Sequence, residues 1–238
     1  MSNAVERAGR TGFDRVDSWI FDLDNTLYPA HCDLFSQVSQ RMGEFISAFL
    51  QVDRDEAHRI QKAYFHEFGT TLNGLMARHA MAPRAFLDYV HDIDLEPLAP
   101  DAALDRALAG LEGRKYVFTN GSVRHAQNVL GRIGIAHHFD DIFDIVAADY
   151  VPKPRPECYD RFLARVAIAP GQSAMFEDIA HNLAHPHALG MVTVLVRSPR
   201  DRRADHSNEW DGIGADEPHV HHVTDNLAEF LAPLAARR

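Results

Sequence analysis

Two aspartates that follow a short apolar segment near the start of the chain are the residues best suited to chemistry. Asp22 and Asp24 end the run Ser18–Asp24, which predicts a buried strand leading into a polar turn. Because side chains alternate along a strand, both carboxylates can point to the same side. Carboxylates this close repel each other unless a cation is bound there. A hard divalent ion with oxygen ligands fits this need, and magnesium is the first candidate.

Further polar residues follow later predicted strands and suit a phosphate group. Thr119 and Asn120 come after an apolar run and stand in a turn that enters a helix, where backbone N–H groups can bind an anion. Lys153 lies between two prolines, which stiffen the backbone that carries its ammonium group. The sequence therefore predicts a phosphate seat made of a hydroxyl group, backbone amides and one lysine.

A third acidic position closes another apolar run. Glu177 and Asp178 follow Ala174-Met175-Phe176, and either could complete the cation site begun by Asp22. Asn182 lies four residues further on, within reach of those ligands as a supporting partner.

The pattern of apolar runs and helical segments around these residues predicts an α/β protein with a doubly wound, Rossmann-like parallel sheet. The apolar runs are continuous, as in strands buried on both faces, and helical spacing separates them. Ligands of such sheets gather at the carboxyl ends of the strands. The predicted strands are Ser18–Asp24, Lys115–Asn120, Asp144–Ala148, Ser173–Asp178 and Met191–Arg197, and the predicted helices are Val123–Ile133, Glu157–Val166 and Asn182–Leu189.

The long interval between the first two strands has no strand-like run and predicts several helices. Leu34, Val38, Met42, Phe45, Ile46 and Phe49 fall on one helical stripe, and further helices are expected at residues 53–68, 71–79, 83–91 and 101–111. Asp53 and Asp101 are their candidate N-caps. We expect an inserted helical cap domain over residues 31–111, with residues 1–30 and 112–238 forming the core. The alternative is a crossover packed on the sheet, which would be unusually long.

These sites together resemble the four signature motifs of the haloacid dehalogenase (HAD) superfamily of phosphatases. The motifs stand in the family's order, at strand ends throughout, and the resemblance covers Asp17–Val196. It implies a C1-type cap and makes Asp22 the nucleophile, which takes the phosphoryl group as an aspartyl-phosphate. It makes Asp24 the general acid and base. The implied Mg²⁺ ligands are the carboxylates of Asp22 and Asp178 with the backbone carbonyl of Asp24.

The resemblance also assigns the remaining motif residues. It implies that Thr119, the backbone of Asn120 and Lys153 hold the transferring oxygens. Asn182 departs from the commonest fourth motif, in which a second acid often stands. We therefore expect Asn182 and Glu177 to support the ligands rather than to bind the metal.

The second aspartate favours a phosphatase over a dehalogenase. A departing alkoxide needs a proton, whereas a halide does not, and the dehalogenase branch typically lacks an acid at the position of Asp24. The run Phe21–Pro29, the segment Phe68–Leu75 and Phe176-Glu177-Asp178 look like the pyrimidine 5′-nucleotidase branch. The predicted substrate is a nucleoside 5′-monophosphate. A phosphoglycolate or sugar-phosphate phosphatase, a phosphomutase and a non-catalytic phosphometabolite-binding protein remain as alternatives.

Substrate choice is expected to come from the cap. Gly69 and Gly74 allow a tight polar loop in which Thr70, Thr71 and Asn73 could donate hydrogen bonds to a base or ribose. The alternative is an ordinary helix start, with a threonine cap followed by leucines in the core.

Composition limits the partners. The chain has 238 residues, 46% of them hydrophobic, and a formal net charge of −10, which disfavours a nucleic-acid polymer. No run is apolar enough for a membrane helix, so we expect a cytoplasmic protein. We also expect a monomer or homodimer whose partner is a small phosphorylated metabolite. Two cysteines are too few for a disulfide framework. The histidines of segments 181–187 and 219–222 and the loop at Arg200–Arg203 suggest solvated surface, and residues 226–238 predict an amphipathic tail helix.

Overall fold

The computed structural model describes residues 12–197 and 214–235. The predicted loop at Arg200–Arg203 and residues 236–238 of the predicted tail helix lie outside these ranges. Within the described part of the chain, none of the helices combines the length and apolarity needed to cross a lipid bilayer.

Six strands in the described residues form one fully parallel sheet. They are β1 Ser18–Phe21, β2 Arg114–Phe118, β3 Asp141–Phe143, β4 Ser173–Glu177, β5 Val192–Val196 and β6 His222–Thr224, in the order β3-β2-β1-β4-β5-β6. The order reverses direction at β1, which pairs with β2 on one side and β4 on the other. The α/β prediction of a doubly wound parallel sheet is confirmed.

Nine α-helices occur in the same residues. They are α1 Leu34–Leu50, α2 Arg54–Phe68, α3 Thr71–His79, α4 Pro83–Val90, α5 Ala102–Gly110, α6 Val123–Ile133, α7 Pro156–Val166, α8 Ala184–Ala188 and α9 Leu227–Ala235. Asp53 accepts a hydrogen bond from the N–H of Glu56, and Asp101 accepts from the N–H groups of Ala103 and Leu104, so both predicted N-caps are confirmed.

Helices cover both faces of the sheet because alternate strand residues point in opposite directions. Phe21 and Phe176 stack on one face at 4.7 Å between ring centroids, in a core that includes buried residues of α5, α6 and α9. Ile20 and Met175 are buried on the other face with residues of α7. The sheet is therefore a rigid, doubly covered platform for the residues at its carboxyl edge.

The helices α1 to α4 enclose a hydrophobic cluster of their own, which includes Val38, Ile46, Leu75, Phe86 and Val90. We call α1–α4 the helical layer. On the predicted stripe of α1, Val38 and Ile46 are buried as expected, whereas Phe49 is 42% exposed.

Helix α5 belongs to the sheet by its packing, because its Leu104, Ala107 and Leu108 are buried in the sheet's core. The proposed cap boundaries at residues 31 and 111 remain predictions.

The segment Gly69–Asn73 is a helix start and not a polar loop. Gly69 ends α2 with a φ of 83°, and the side chain of Thr70 then caps α3 by accepting from the N–H of Asn73. Leu72 and Leu75 are buried in the helical layer, so the structure has the simpler of the two alternatives.

Two local predictions were wrong, and one strand was missed. The strand expected at Asp144–Ala148 lies three residues earlier, at Asp141–Phe143, because the carboxylate of Asp144 accepts from the N–H groups of Val123 and Ala147 and begins a turn. The helix expected at Asn182–Leu189 is a 3₁₀ turn at Ala180–Leu183 followed by the short α8. Strand β6 was not predicted.

The predicted solvated surface of segment 219–222 includes a buried residue. His222 lies in β6 and packs between the rings of Phe13 and Phe230, at 5.2 and 6.0 Å between centroids. An imidazole ring is flat and largely apolar on its faces, so it can fill such a gap. The tail helix α9 buries Leu227, Phe230 and Leu231 within the described residues, as predicted.

Candidate active site

The predicted site residues converge at the carboxyl edge of the sheet. Asp22 and Asp24 follow β1, Thr119 follows β2, and Glu177 and Asp178 stand at the end of β4. Since β1 lies between β2 and β4, these ends are neighbours. They line a cavity of about 190 Å³ together with Asn120, Lys153 and Asn182, and the helical layer forms its other wall.

Lys153 is the buried cation of this site. Its Nζ donates to Asp22 Oδ1 at 2.6 Å, to Glu177 Oε2 at 2.6 Å and to the carbonyl oxygen of Phe118 at 3.0 Å. Burial alone would lower the pKa of Lys153, but the two carboxylates outweigh it and raise that pKa above its ordinary value. The lysine therefore stays charged and ties the end of β4 to the end of β1.

The side chain of Asn120 holds the backbone of Lys153. Its Oδ1 accepts from the N–H of Lys153 at 2.9 Å, and its Nδ2 donates to the Lys153 carbonyl at 3.3 Å. The amide is thus committed to the loop, which leaves the backbone of Asn120 as the part available to a ligand.

Three carboxylates crowd together around the lysine. Oxygen atoms of Asp22, Glu177 and Asp178 all lie within 4.8 Å of one another. Burial and then the charge of Glu177 raise the pKa of Asp22 to about 7, although Lys153 opposes the shift. Burial and the neighbouring carboxylates also raise the pKa of Asp178 well above its usual range. The site has more negative charge than one ammonium compensates.

A divalent cation fits this donor set. Hard oxygen donors with an uncompensated negative charge are what Mg²⁺ requires. Asn25 Nδ2 lies 3.4 Å from Asp178 Oδ2, and Asn182 Nδ2 donates to Glu177 Oε1 at 3.1 Å. Asn182 is therefore a hydrogen-bond partner of Glu177, and its absence from the metal's ligands remains a prediction.

Asp24 has a different environment from that of Asp22. Its Oδ1 accepts from the hydroxyl group of Tyr28 at 2.6 Å and lies 2.8 Å from His125 Nε2. Burial favours the neutral acid, but His125 and Tyr28 outweigh it and lower the pKa of Asp24 to about 2. The two aspartates have pKa values pushed apart, a pattern typical of groups with separate acid-base roles.

Thr119 and the turn after it form the floor beside Asp22. Thr119 is buried, and its Oγ1 accepts from the N–H of Gly121 at 2.9 Å. Ser122 then caps α6 by accepting from the N–H of His125. The turn places a hydroxyl oxygen and the start of a helix at the cavity, as the sequence predicted.

The sequence that carries this site matches a known family. A family model described as "haloacid dehalogenase-like hydrolase" matches residues 16–185. The chain belongs to the haloacid dehalogenase-like hydrolases.

Two curated relatives of this HAD-like hydrolase have phosphate-related names. Phosphate metabolism protein 8 of Saccharomyces cerevisiae is 27% identical over 195 residues, which cover 74% of the chain and 60% of that protein. Fructose-1-phosphate phosphatase YqaB of Escherichia coli is 28% identical over 194 residues, which cover 78% of the chain and 98% of that protein. The match with the yeast protein thus spans about three fifths of its length.

Solved structures share the fold of this HAD-like hydrolase. A HAD phosphatase from Thermococcus onnurineus has a TM-score of 0.54 at 17% identity, covering 81% of this chain and 92% of that one. An L-2-haloacid dehalogenase from Xanthobacter autotrophicus, with chloropropionic acid covalently bound, has a TM-score of 0.53 at 13% identity, covering 94% and 100%. These likenesses concern the fold alone.

The helical layer contributes the far wall of the HAD-like cavity. Thr70 and Thr71 line it, whereas Asn73 is not among the lining residues. Thr71 Oγ1 donates to the backbone carbonyl of Gln61, so its hydroxyl proton is already used. Other lining side chains of this layer are Phe35, Ser36, Val38, Ser39, Met42, His58, Gln61, Lys62, Phe65, Leu72, Phe86, Leu87 and Val90.

Sequence reasoning missed the partners of Asp24. Tyr28 lies within the first motif run, four residues after Asp24, and its hydroxyl group could have been paired with that carboxylate on a tight turn. His125 stands in the first turn of α6, and its contact with Asp24 spans 101 residues of sequence. The available signal for His125 was its place on the inner face of a helix that starts at the predicted phosphate turn.

Proposed function

We propose that this HAD-like hydrolase is a magnesium-dependent phosphatase that hydrolyses small phosphate monoesters through an aspartyl-phosphate at Asp22. The observation that carries the proposal is the placement of two aspartates with opposite pKa shifts at one cavity, beside Lys153 and Thr119. A dehalogenase has no leaving group that needs the second acid. The names of the two curated relatives also support phosphate chemistry.

The roles follow from what each residue can do. The Asp22 carboxylate attacks phosphorus, and the bond to the alkoxide oxygen breaks as the acyl phosphate forms. Lys153, Thr119 and the backbone of Asn120 stabilise the negative charge on the transferring oxygens.

Asp24 serves both half-reactions. Its carboxyl protonates the departing alkoxide and then, as a carboxylate, takes a proton from the water that hydrolyses the acyl phosphate. The pKa of about 2 suits the base step. For the acid step, the negative charge of a bound phosphate raises the pKa of this neighbouring carboxyl by like-charge repulsion.

Asp22, Asp178 and the backbone carbonyl of Asp24 are the proposed magnesium ligands. When bound, the ion supplies positive charge that lets a carboxylate and a phosphate approach each other. Glu177 keeps its hydrogen bonds to Lys153 and Asn182, and these two bonds hold the end of β4 in place.

A nucleoside 5′-monophosphate, with a pyrimidine base, is the proposed substrate. Phe35 and Phe65 offer aromatic surface to a base, and Gln61 and Thr70 lie on the same wall with polar groups for a sugar. A sugar phosphate is the second candidate, because the Escherichia coli relative, a fructose-1-phosphate phosphatase, matches over almost its whole length.

A panel of phosphate esters assayed with magnesium tests both the phosphatase activity and the nucleotide substrate. We expect phosphate release from UMP and CMP to exceed release from fructose 1-phosphate and phosphoglycolate. The reverse order would exclude the nucleotidase assignment and leave the phosphatase. Isomerised phosphate ester without free phosphate would indicate a phosphomutase.

Variants of the two aspartates test the chemistry. Asp22→Asn should abolish turnover with an unchanged circular dichroism spectrum, because an amide is not a nucleophile toward phosphorus. Asp24→Asn should slow both formation and hydrolysis of the phosphoenzyme. Turnover by Asp22→Asn close to that of the unaltered protein would refute the nucleophile, and ester binding without turnover by the unaltered protein would indicate a binding protein. Full activity after thorough chelation would refute the role of magnesium.

A further inference from the structure

We propose that His125 and His91 form a stacked pair that positions the Asp24 carboxylate for proton transfer, and that His91 makes this alignment depend on the helical layer. The inference rests on the proposed function, because it concerns the acid step at Asp24. Both histidines act through Asp24 and are positioning residues.

The orientation of Asp24 is held at one oxygen. Tyr28 Oη and His125 Nε2 both bond to Oδ1, at 2.6 and 2.8 Å. Two partners on the same atom fix the carboxylate plane and direct the other oxygen, Oδ2, away from them. Because Asp24 lines the cavity, this fixed orientation decides where its acidic oxygen meets a leaving group.

His125 is itself held by a second imidazole. Its side chain is 1% exposed, and its ring stacks on that of His91 with 4.5 Å between centroids and 13° between planes. Nδ1 of His91 lies 2.9 Å from Ser122 Oγ, which fixes the plane of the stacking ring. Removing His91 would open a space beside His125 and let its ring turn away from Asp24.

His91 comes from a different layer of the protein. It directly follows α4, whose Phe86, Leu87 and Val90 are buried in the cluster of the helical layer. Ser122 and His125 belong to the turn and helix after β2. The stack therefore joins the helical layer to the core at Asp24, and it is complete only when the layer lies against the sheet edge as it does here.

The dependence of the rate on the leaving group tests this role. A p-nitrophenolate ion leaves without a proton, whereas the alkoxide of an alkyl phosphate needs one. Loss of alignment at Asp24 should therefore lower kcat/KM for an alkyl ester much more than for p-nitrophenyl phosphate, because kcat/KM reports only the steps up to formation of the phosphoenzyme. A general fault in the fold would lower both values equally.

The experiment measures kcat/KM for UMP and p-nitrophenyl phosphate with magnesium in four variants. We expect His125→Ala and His91→Ala to lose at least about tenfold on UMP and less than about threefold on p-nitrophenyl phosphate, from the cost of a misplaced acid. His91→Phe loses the bond to Ser122 but keeps a flat ring in the space beside His125, so it should recover most of the loss. The control His137→Ala removes a histidine that is 65% exposed and should change neither value.

The outcomes separate this inference from the proposed function. Equal losses on both esters in the alanine variants, or no loss on either, would overturn the positioning role. His91→Phe keeps the ring surface against His125, so a failure of rescue in this folded variant would overturn the part assigned to the stack. If the unaltered protein releases phosphate from neither ester, the proposed function itself fails.

Discussion

Replacing Lys153 with methionine should destabilise the protein, and the loss should grow with pH. The ammonium is buried and donates to Asp22, Glu177 and the carbonyl of Phe118. Methionine fills a similar volume but leaves the two carboxylates facing each other without a cation. Breaking a buried ion pair from one side costs about 3–5 kcal/mol.

The pH dependence sets the size of the effect. Without the ammonium, the folded variant must bind one more proton at the carboxyl pair than the folded parent does. The unfolded parent and the unfolded variant bind nearly equal numbers of protons at these carboxyls. The stability lost by the variant relative to the parent therefore grows by about 1.4 kcal/mol per pH unit above the ordinary carboxyl pKa near 4. We therefore expect a loss of about 4 kcal/mol near pH 7 and about 1 kcal/mol near pH 5.

Urea unfolding followed by circular dichroism, with a chelator present throughout, measures both values. Lys115→Met is the matched control, because that lysine is also buried but its Nζ donates to the backbone carbonyls of Leu111 and Gly113 and, among the described residues, to no carboxylate. Its loss should be the same at both pH values. A loss in Lys153→Met that is below about 1 kcal/mol near pH 7, or that does not change between about pH 5 and 7, would refute the charge argument.

Three further predictions follow from other contacts. The raised pKa of Asp22 means that its contribution to stability is fully present below about pH 4 and is lost as pH rises through about 7, where the carboxyl ionises. Since Mg²⁺ binds the ionised carboxylate, millimolar Mg²⁺ should raise the melting temperature more at about pH 8 than at about pH 5. Gly74→Ala would place a Cβ against Tyr64 and should cost about 1–3 kcal/mol in urea unfolding, whereas Gly131→Ala meets no neighbour and should stabilise by about 0.5–1 kcal/mol. Asp144→Ala should cost about 0.5–2 kcal/mol by the same measurement, since the start of α6 loses its acceptor.

The catalytic edge of the sheet could be predicted because its residues are tied to local patterns. Asp22, Thr119 and Asp178 each follow an apolar run, and parallel strands bring the ends of such runs to one edge. The only spatial information needed was that the three strands are neighbours. That neighbourhood is a general property of a doubly wound sheet.

The stacking of His91 on His125 could not be predicted in the same way. His91 and His125 meet through the docking of the helical layer on the core, and no local pattern records how two layers dock. The positions of short strands were also not predicted. β3 and β6 have three residues each, which is too little apolar sequence to distinguish a strand from a turn. The shift of β3 was decided by the hydrogen bonds of the Asp144 side chain.

The charges at the site explain why it takes both a cation and a phosphate. Asp22, Glu177 and Asp178 crowd around the ammonium of Lys153, and the excess negative charge raises the pKa of Asp22 and Asp178. A nucleophile that holds a proton cannot attack phosphorus. A divalent ion would balance the remaining charge, free Asp22 as a carboxylate and leave Lys153 and Thr119 to meet the incoming anion. Asp24, paired with His125 outside this cluster, has a pKa lowered to about 2, so its carboxylate is ready to take a proton from the water that hydrolyses the acyl phosphate.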